Sequence, residues 1–152
     1  MIFMRILCYF DNRFEPPAPF VRATLESKTL KIRKPVHFHI DTGASATTLL
    51  DKDTYYLGIN IRKLKKAERK IGGLGGLIET FVIEDTALFF RAENGEIIKE
   101  NLRLLVGKHD LSKLSPEEKS LIIRMPSLLG RDIIYRYRLV CDKNRNEIYL
   151  ER

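Results

Sequence analysis

The sequence predicts an all-β fold with one or two short helices, and three observations predict it. Apolar runs at residues 20–25 and 30–40 flank the polar turn Glu26-Ser27-Lys28-Thr29, the pattern of paired strands. Longer runs at 80–92 and 97–106 flank Glu93-Asn94-Gly95, whose Asn-Gly step is a strong hairpin signal. A last pair, 137–141 and 147–150, surrounds a polar turn over 142–146.

The remaining segments fit around this frame. Residues 1–10 read as an opening strand, since Arg5 interrupts the apolar run and no small-residue cleavage site follows it. The stretch Glu15-Pro16-Pro17-Ala18-Pro19 is a stiff connector or edge, because each proline fixes its own φ and biases its predecessor away from helix. A turn or short helix is expected over 51–57. One helix is well marked. Ser115 suits the N-cap, Pro116 the first helical position, and Glu118 completes a capping box, so the helix should run from Pro116 to Arg124. It belongs to a long stretch, 107–125, expected to decorate the outside.

With 152 residues, 44% hydrophobic and 31% charged, the chain is expected to form a single domain over 1–152 with a core that needs no staples. Cys8 and Cys141 lack metal-ligand spacing, which favours a reducing compartment and small buried thiols. No apolar run approaches the roughly 18 residues of a membrane span, so no membrane partner and a cytoplasmic location are expected. The net charge of +7 bears on solubility and steering more than on specific function. Its densest cluster is Arg62, Lys63, Lys65, Lys66, Arg69 and Lys70. Without interleaved aromatic residues this reads as a solvated face, and no nucleic-acid partner is expected.

The chemistry concentrates at Asp41-Thr42-Gly43, directly after the strand at 30–40. An acid, a small hydroxylated residue and a glycine suit a tight, hydrogen-bonded carboxylate loop, although an acid capping an ordinary turn has the same local signature. Downstream, Gly72-Gly73-Leu74-Gly75-Gly76 places glycine pairs about one leucine, as a hairpin tip requires. A phosphate-cradling loop is disfavoured, since no Gly-Lys-Ser/Thr follows and the spacing is not Gly-x-Gly-x-x-Gly. His37, His39 and Asp41 alternate with apolar residues and share a strand face. That set is compatible with a metal, but the Asp-Thr-Gly loop already accounts for Asp41, and neither metal nor organic cofactor is expected.

In order, Asp41-Thr42-Gly43-Ala44, Ile71-Gly72-Gly73-Leu74-Gly75-Gly76 and Leu128-Leu129-Gly130-Arg131-Asp132 resemble the retroviral-type, or retropepsin-like, aspartic peptidases over residues 19–150. The resemblance implies a closed, barrel-like single lobe that forms a two-fold homodimer and hydrolyses polypeptide. Asp41 and its symmetry mate would be the catalytic carboxylates, with Thr42 bonding across the axis and Gly43 presenting its carbonyl to substrate. Residues 72–76, with Leu74 at the tip, would be the flap. His39, Ser45 and Leu129 would join them in contacting substrate. Gly130 would pack behind the catalytic loop, and Arg131-Asp132 would open a short helix. Viral members usually carry an acid at the place of Ser45, paired with the arginine matching Arg131. Here Arg131 needs another partner, Asp132 or an acid from the mate. Two rival readings are a catalytically idle module on the same fold and a basic nucleic-acid-binding β-domain.

Overall fold

A computed structural model describes residues 3–68 and 78–152. Strands β1 (Arg5–Leu7), β2 (Tyr9–Asp11), β3 (Ala18–Ser27), β4 (Ile32–Ile40) and β5 (Thr48–Leu49) precede helix α1 (Asp51–Tyr56). A 3-10 turn at Ile61–Lys63, β6 (Lys65–Lys66), β7 (Ile78–Arg91) and β8 (Ile97–His109) follow. The chain continues through α2 (Pro116–Arg124), β9 (Leu128–Leu129), α3 (Arg131–Ile134), β10 (Arg138–Asp142) and β11 (Glu147–Glu151). The expected all-β architecture with short helices is therefore present.

The larger sheet runs β2-β3-β4-β9-β5-β8-β7-β6, and a further β3–β7 pairing closes it into a barrel. Closure leaves fewer free strand edges. Of the two outer strands of this sheet, β2 and β6, the latter carries Lys65 and Lys66, both exposed. Lysine on an edge strand discourages pairing with other chains, which gives part of the basic cluster a structural role. A second sheet, β1-β11-β10, packs alongside.

Alternate residues of β3 and β4 help to fill the barrel. Val21, Ala23 and Leu25 of β3 face inward with Val36, Phe38 and Ile40 of β4, and Leu88, Phe90, Leu104 and Leu129 belong to the same cluster. Each is at most 4% exposed. The β7–β8 hairpin turns where expected, with Gly95 at φ 90°. Asn94 has negative φ, so the connection is a turn closed by Gly95 N–H to the Ala92 carbonyl, 2.9 Å, rather than a two-residue loop with both φ values positive.

The opening segment differs from the single strand expected over 1–10. It divides at Cys8 into β1, paired with β11, and β2, paired with β3. One apolar run serves two sheets, a division its local pattern cannot encode. Ala18 and Pro19 lie in β3 rather than in a connector, and this proline sits where β3 meets the short outer strand β2. Cys8 and Cys141 flank Ile148 from opposite sides of β11 and are free. Two strand spacings, about 10 Å, exceed a disulfide's reach. Burial pushes the Cys8 thiol up to about 12, which makes it unreactive. Helix α2 has its expected cap, Ser115 accepting from Glu118 N–H at 3.1 Å. It buries Ile122 and exposes Leu121 and Ile123.

Among the glycines with described surroundings, Gly130 is the most crowded. A Cβ there would stand 2.5 Å from the Ala46 carbonyl carbon and 2.8 Å from the Thr47 nitrogen, all backbone atoms. Gly130→Ala should therefore cost about 1–3 kcal/mol, as overpacking does, measured by chemical denaturation. Unchanged stability would show that β9 has room to move.

Candidate active site

The site grows from the end of β4. Strand β9 lies beside it in parallel register, His39 opposite Leu128 and Ile40 opposite Leu129. His39 N–H donates to the Ser127 carbonyl at 2.9 Å, and Asp41 N–H to the Leu129 carbonyl at 3.0 Å. The chain then turns sharply, Ala44 N–H donating to the Asp41 carbonyl at 3.1 Å. Gly43 N–H donates to Asp41 Oδ1 at 2.9 Å, which holds the carboxylate over its own loop. A side chain at Gly43 would begin 3.1 Å from that oxygen, so glycine leaves the carboxylate uncrowded. Asp41 is half-buried, while Thr42, Gly43 and Ser45 are exposed.

Three groups brace the loop from behind. Thr47, wholly buried, donates its hydroxyl to Asp132 Oδ1 at 2.7 Å and accepts from Gly130 N–H at 3.0 Å. Thr47 N–H also reaches the Asp132 carboxylate, at 3.0 and 3.1 Å. Arg131 N–H donates to the Ala44 carbonyl at 2.9 Å, and its guanidinium donates to the Thr42 carbonyl at 2.8 Å. Arg131 thus finds its partner in the loop backbone, and Asp132 is occupied by Thr47. Further back, Ser127 donates to Asp53 at 2.6 Å and accepts from Leu50 N–H at 3.0 Å.

Leu129 requires a correction. Expected to contact substrate, it is fully buried in the core. Parallel pairing with Ile40 turns it inward, and Leu128, half-buried opposite His39, takes the face that Leu129 was expected to occupy. Residues 72–76, the expected flap with Leu74 at its tip, lie outside the described residues.

His39 does lie on the Asp41 face of β4. Its ring stacks on Phe14, centroids 6.5 Å apart and 9° between planes, and tilts against Phe20 at 5.4 Å. His37 goes elsewhere, its Nδ1 2.6 Å from the Tyr9 hydroxyl. The two histidines therefore do not converge with Asp41 on one point. Sequence reasoning overlooked Phe14, Thr47 and Ser127. A hydroxyl six residues after Asp41 and another directly before Leu128 were the available signals.

The architecture is that of the retropepsin-like aspartic proteases. A retropepsin-like aspartic protease from Rickettsia conorii is similar to this chain with a TM-score of 0.55 and 22% identity, over 99% of this chain and 90% of that one. EIAV protease complexed with the inhibitor HBY-793 matches with a TM-score of 0.46 and 24% identity, over 82% of this chain and 93% of that one. The retroviral protease-like domain of Ddi1 from Leishmania major gives 0.44 and 13%, over 99% and 94% respectively. No family model and no curated protein matches the chain.

Burial lowers the pKa of His39, with the charge of Asp41 opposing the shift. The folded value then lies below the unfolded one, about 6.5. Above that pH the neutral ring contributes its full stability. As pH falls toward the folded value, the unfolded chain binds more protons and stability is lost. Between about pH 7 and pH 5, wild type should lose more stability than His39→Leu, read from denaturation midpoints. Parallel curves would contradict the burial.

Proposed function

We propose that the chain is half of a homodimeric aspartic endopeptidase, acting on extended polypeptide without metal or organic cofactor. One observation carries this reading. Asp41 sits uncrowded in a braced turn beside exposed Thr42 and Gly43, and Asp-Thr-Gly occurs once in the sequence. The nearest imitation, Asp85-Thr86-Ala87, lies in β7 with the Asp85 carboxylate bound by Ser27 and Thr29. A second carboxylate for the site must come from a second chain, and a two-fold axis beside Thr42 would supply it. The description of the similar Rickettsia conorii structure, a retropepsin-like aspartic protease, supports the same class.

The chemistry then follows from two carboxylates in close approach. Like charges at that distance share one proton. The ionised member takes a proton from a bound water, whose oxygen attacks the scissile carbonyl carbon. The protonated member donates to the carbonyl oxygen. Collapse of the tetrahedral intermediate breaks the C–N bond, and a proton passes to the leaving amine. Arg131 acts as a positioning residue, holding the loop through the Thr42 carbonyl. His39, with Phe14 and Phe20, forms a wall on the same face of β4 as Asp41. Residues 72–76 would cover the substrate, and a cytoplasmic location belongs to the same proposal.

Incubation with a mixed peptide library at acidic and neutral pH, alongside Asp41→Asn, tests the reading. Wild type should cleave as a dimer in sedimentation. Asp41→Asn should remain folded and lose at least about 10²–10⁴-fold in rate, the scale of general acid–base catalysis. A folded dimer that cleaves nothing would instead indicate an idle module.

A further inference from the structure

The strand that leads to Asp41 also borders a groove of about 400 Å³, lined by Tyr9 of β2, His37 of β4, Lys52, Asp53 and Tyr56 of α1, and Arg13 from the loop after β2. The volume is within the usual size of small-molecule sites. Its charged groups are not equally available. Arg13 holds the Asp11 carboxylate through Nε, at 3.0 Å from each oxygen, and through Nη2 at 2.6 Å. Its Nη1 has no partner among the described residues. Asp53 is buried and accepts from the Ser127 hydroxyl at 2.6 Å. Lys52 is exposed and makes no hydrogen bond or ion pair among the described residues. The two nearby carboxylates are thus engaged within the fold, while the two cations keep unused donors.

His37 adds a third donor. It is exposed, its Nδ1 lies 2.6 Å from the Tyr9 hydroxyl, and its Nε2 has no partner among the described residues. Its pKa is lowered, first by partial desolvation and then by the charge of Arg22, with Lys52 and Arg13 acting in the same sense and Asp53 opposing them. Cations from β3, α1 and the loop after β2 therefore all act on this ring. The walls are aromatic. Tyr9 and Tyr56 are left 36% and 48% exposed, and Lys34 Nζ lies 5.2 Å from the Tyr56 ring centroid.

Unused cationic donors on three separate elements suit a phosphate, which accepts hydrogen bonds on several sides. Two exposed tyrosine rings suit an aromatic body. We propose that this groove binds an aromatic phosphate monoester, its phosphate between Arg13, Lys52 and His37 and its ring against the tyrosines. The reading is independent of peptidase activity.

The test titrates phenyl phosphate into protein labelled with ¹⁵N at histidine, at low ionic strength, and follows the His37 resonances, assigned by their loss in His37→Gln. The shifts should saturate. His37 should also titrate at higher pH in the complex, because a bound phosphate favours the imidazolium that the neighbouring cations disfavour. Inorganic phosphate should bind about tenfold more weakly, the scale of an aromatic contact, and phenol should give no saturable response. Lys52→Ala should weaken binding of phenyl phosphate about tenfold, the scale of one charge-assisted hydrogen bond. Lys113→Ala, which removes an exposed lysine outside the groove, should not. Asp41→Asn should bind as wild type does, so failure of either reading leaves the other standing. Absence of saturation, an unmoved His37 titration, equal affinity for inorganic and phenyl phosphate, a phenol response equal to that of phenyl phosphate, or equal losses in Lys52→Ala and Lys113→Ala would each overturn the proposal. Displacement of phenyl phosphate by a phosphotyrosine peptide would identify a polypeptide side chain as the source of the monoester. Failure of that peptide to displace it would identify a free small molecule.

Discussion

Everything at the Asp41 loop depends on the contact between Gly130 and the Ala46–Thr47 peptide. Backbone meets backbone there with no space for a methyl group, and this is what lets β9 enter between β4 and β5. Once in place, β9 offers the Leu129 carbonyl to Asp41 N–H and the Gly130 N–H to the Thr47 hydroxyl. The acid's backbone is thus held by a strand from far along the chain. Buried and fully satisfied polar networks of this kind are rigid, and losing one member leaves the others unpaired in a low-dielectric interior.

That bracing explains the division of labour in the loop. Polar groups needed for structure, Thr47 and Asp132, face inward and satisfy each other. Thr42, Gly43 and Ser45 are left exposed, and Arg131 grips the loop only through the Thr42 and Ala44 carbonyls. Among the described residues no hydrogen bond engages the Thr42 or Ser45 side chain, which leaves both open to contact from beyond this chain. The barrel closed by β3 and β7 supplies the stiff support from which such a loop can act.

What could be read from the sequence was what short-range chemistry encodes. Ser115, Pro116 and Glu118 mark the start of α2 within four residues, Asn94-Gly95 marks a hairpin, and Asp41-Thr42-Gly43 announces its turn by its own residue types. Gly130 was legible through the motif that contains it. The failures share one cause, dependence on distant partners. Cys8 gives no local sign that the chain changes sheets there. Leu128 and Leu129 are chemically identical, and only the register with β4 decides which faces inward. Thr47 meets Asp132 across 85 residues, and Asp51 meets His109 across 58. Neither pairing has a periodicity to reveal it.

The central claim is that each chain holds half of a site whose two Asp41 carboxylates act together. Wild type and Asp41→Asn, unfolded and refolded together so that subunits assort at random, test it directly. With catalysis requiring an intact Asp41 from both chains, activity should follow the square of the wild-type fraction, about one quarter for an equal mixture. Activity of about one half for the same mixture, as from chains acting independently, or of about three quarters, as from dimers in which one Asp41 suffices, would contradict the shared site.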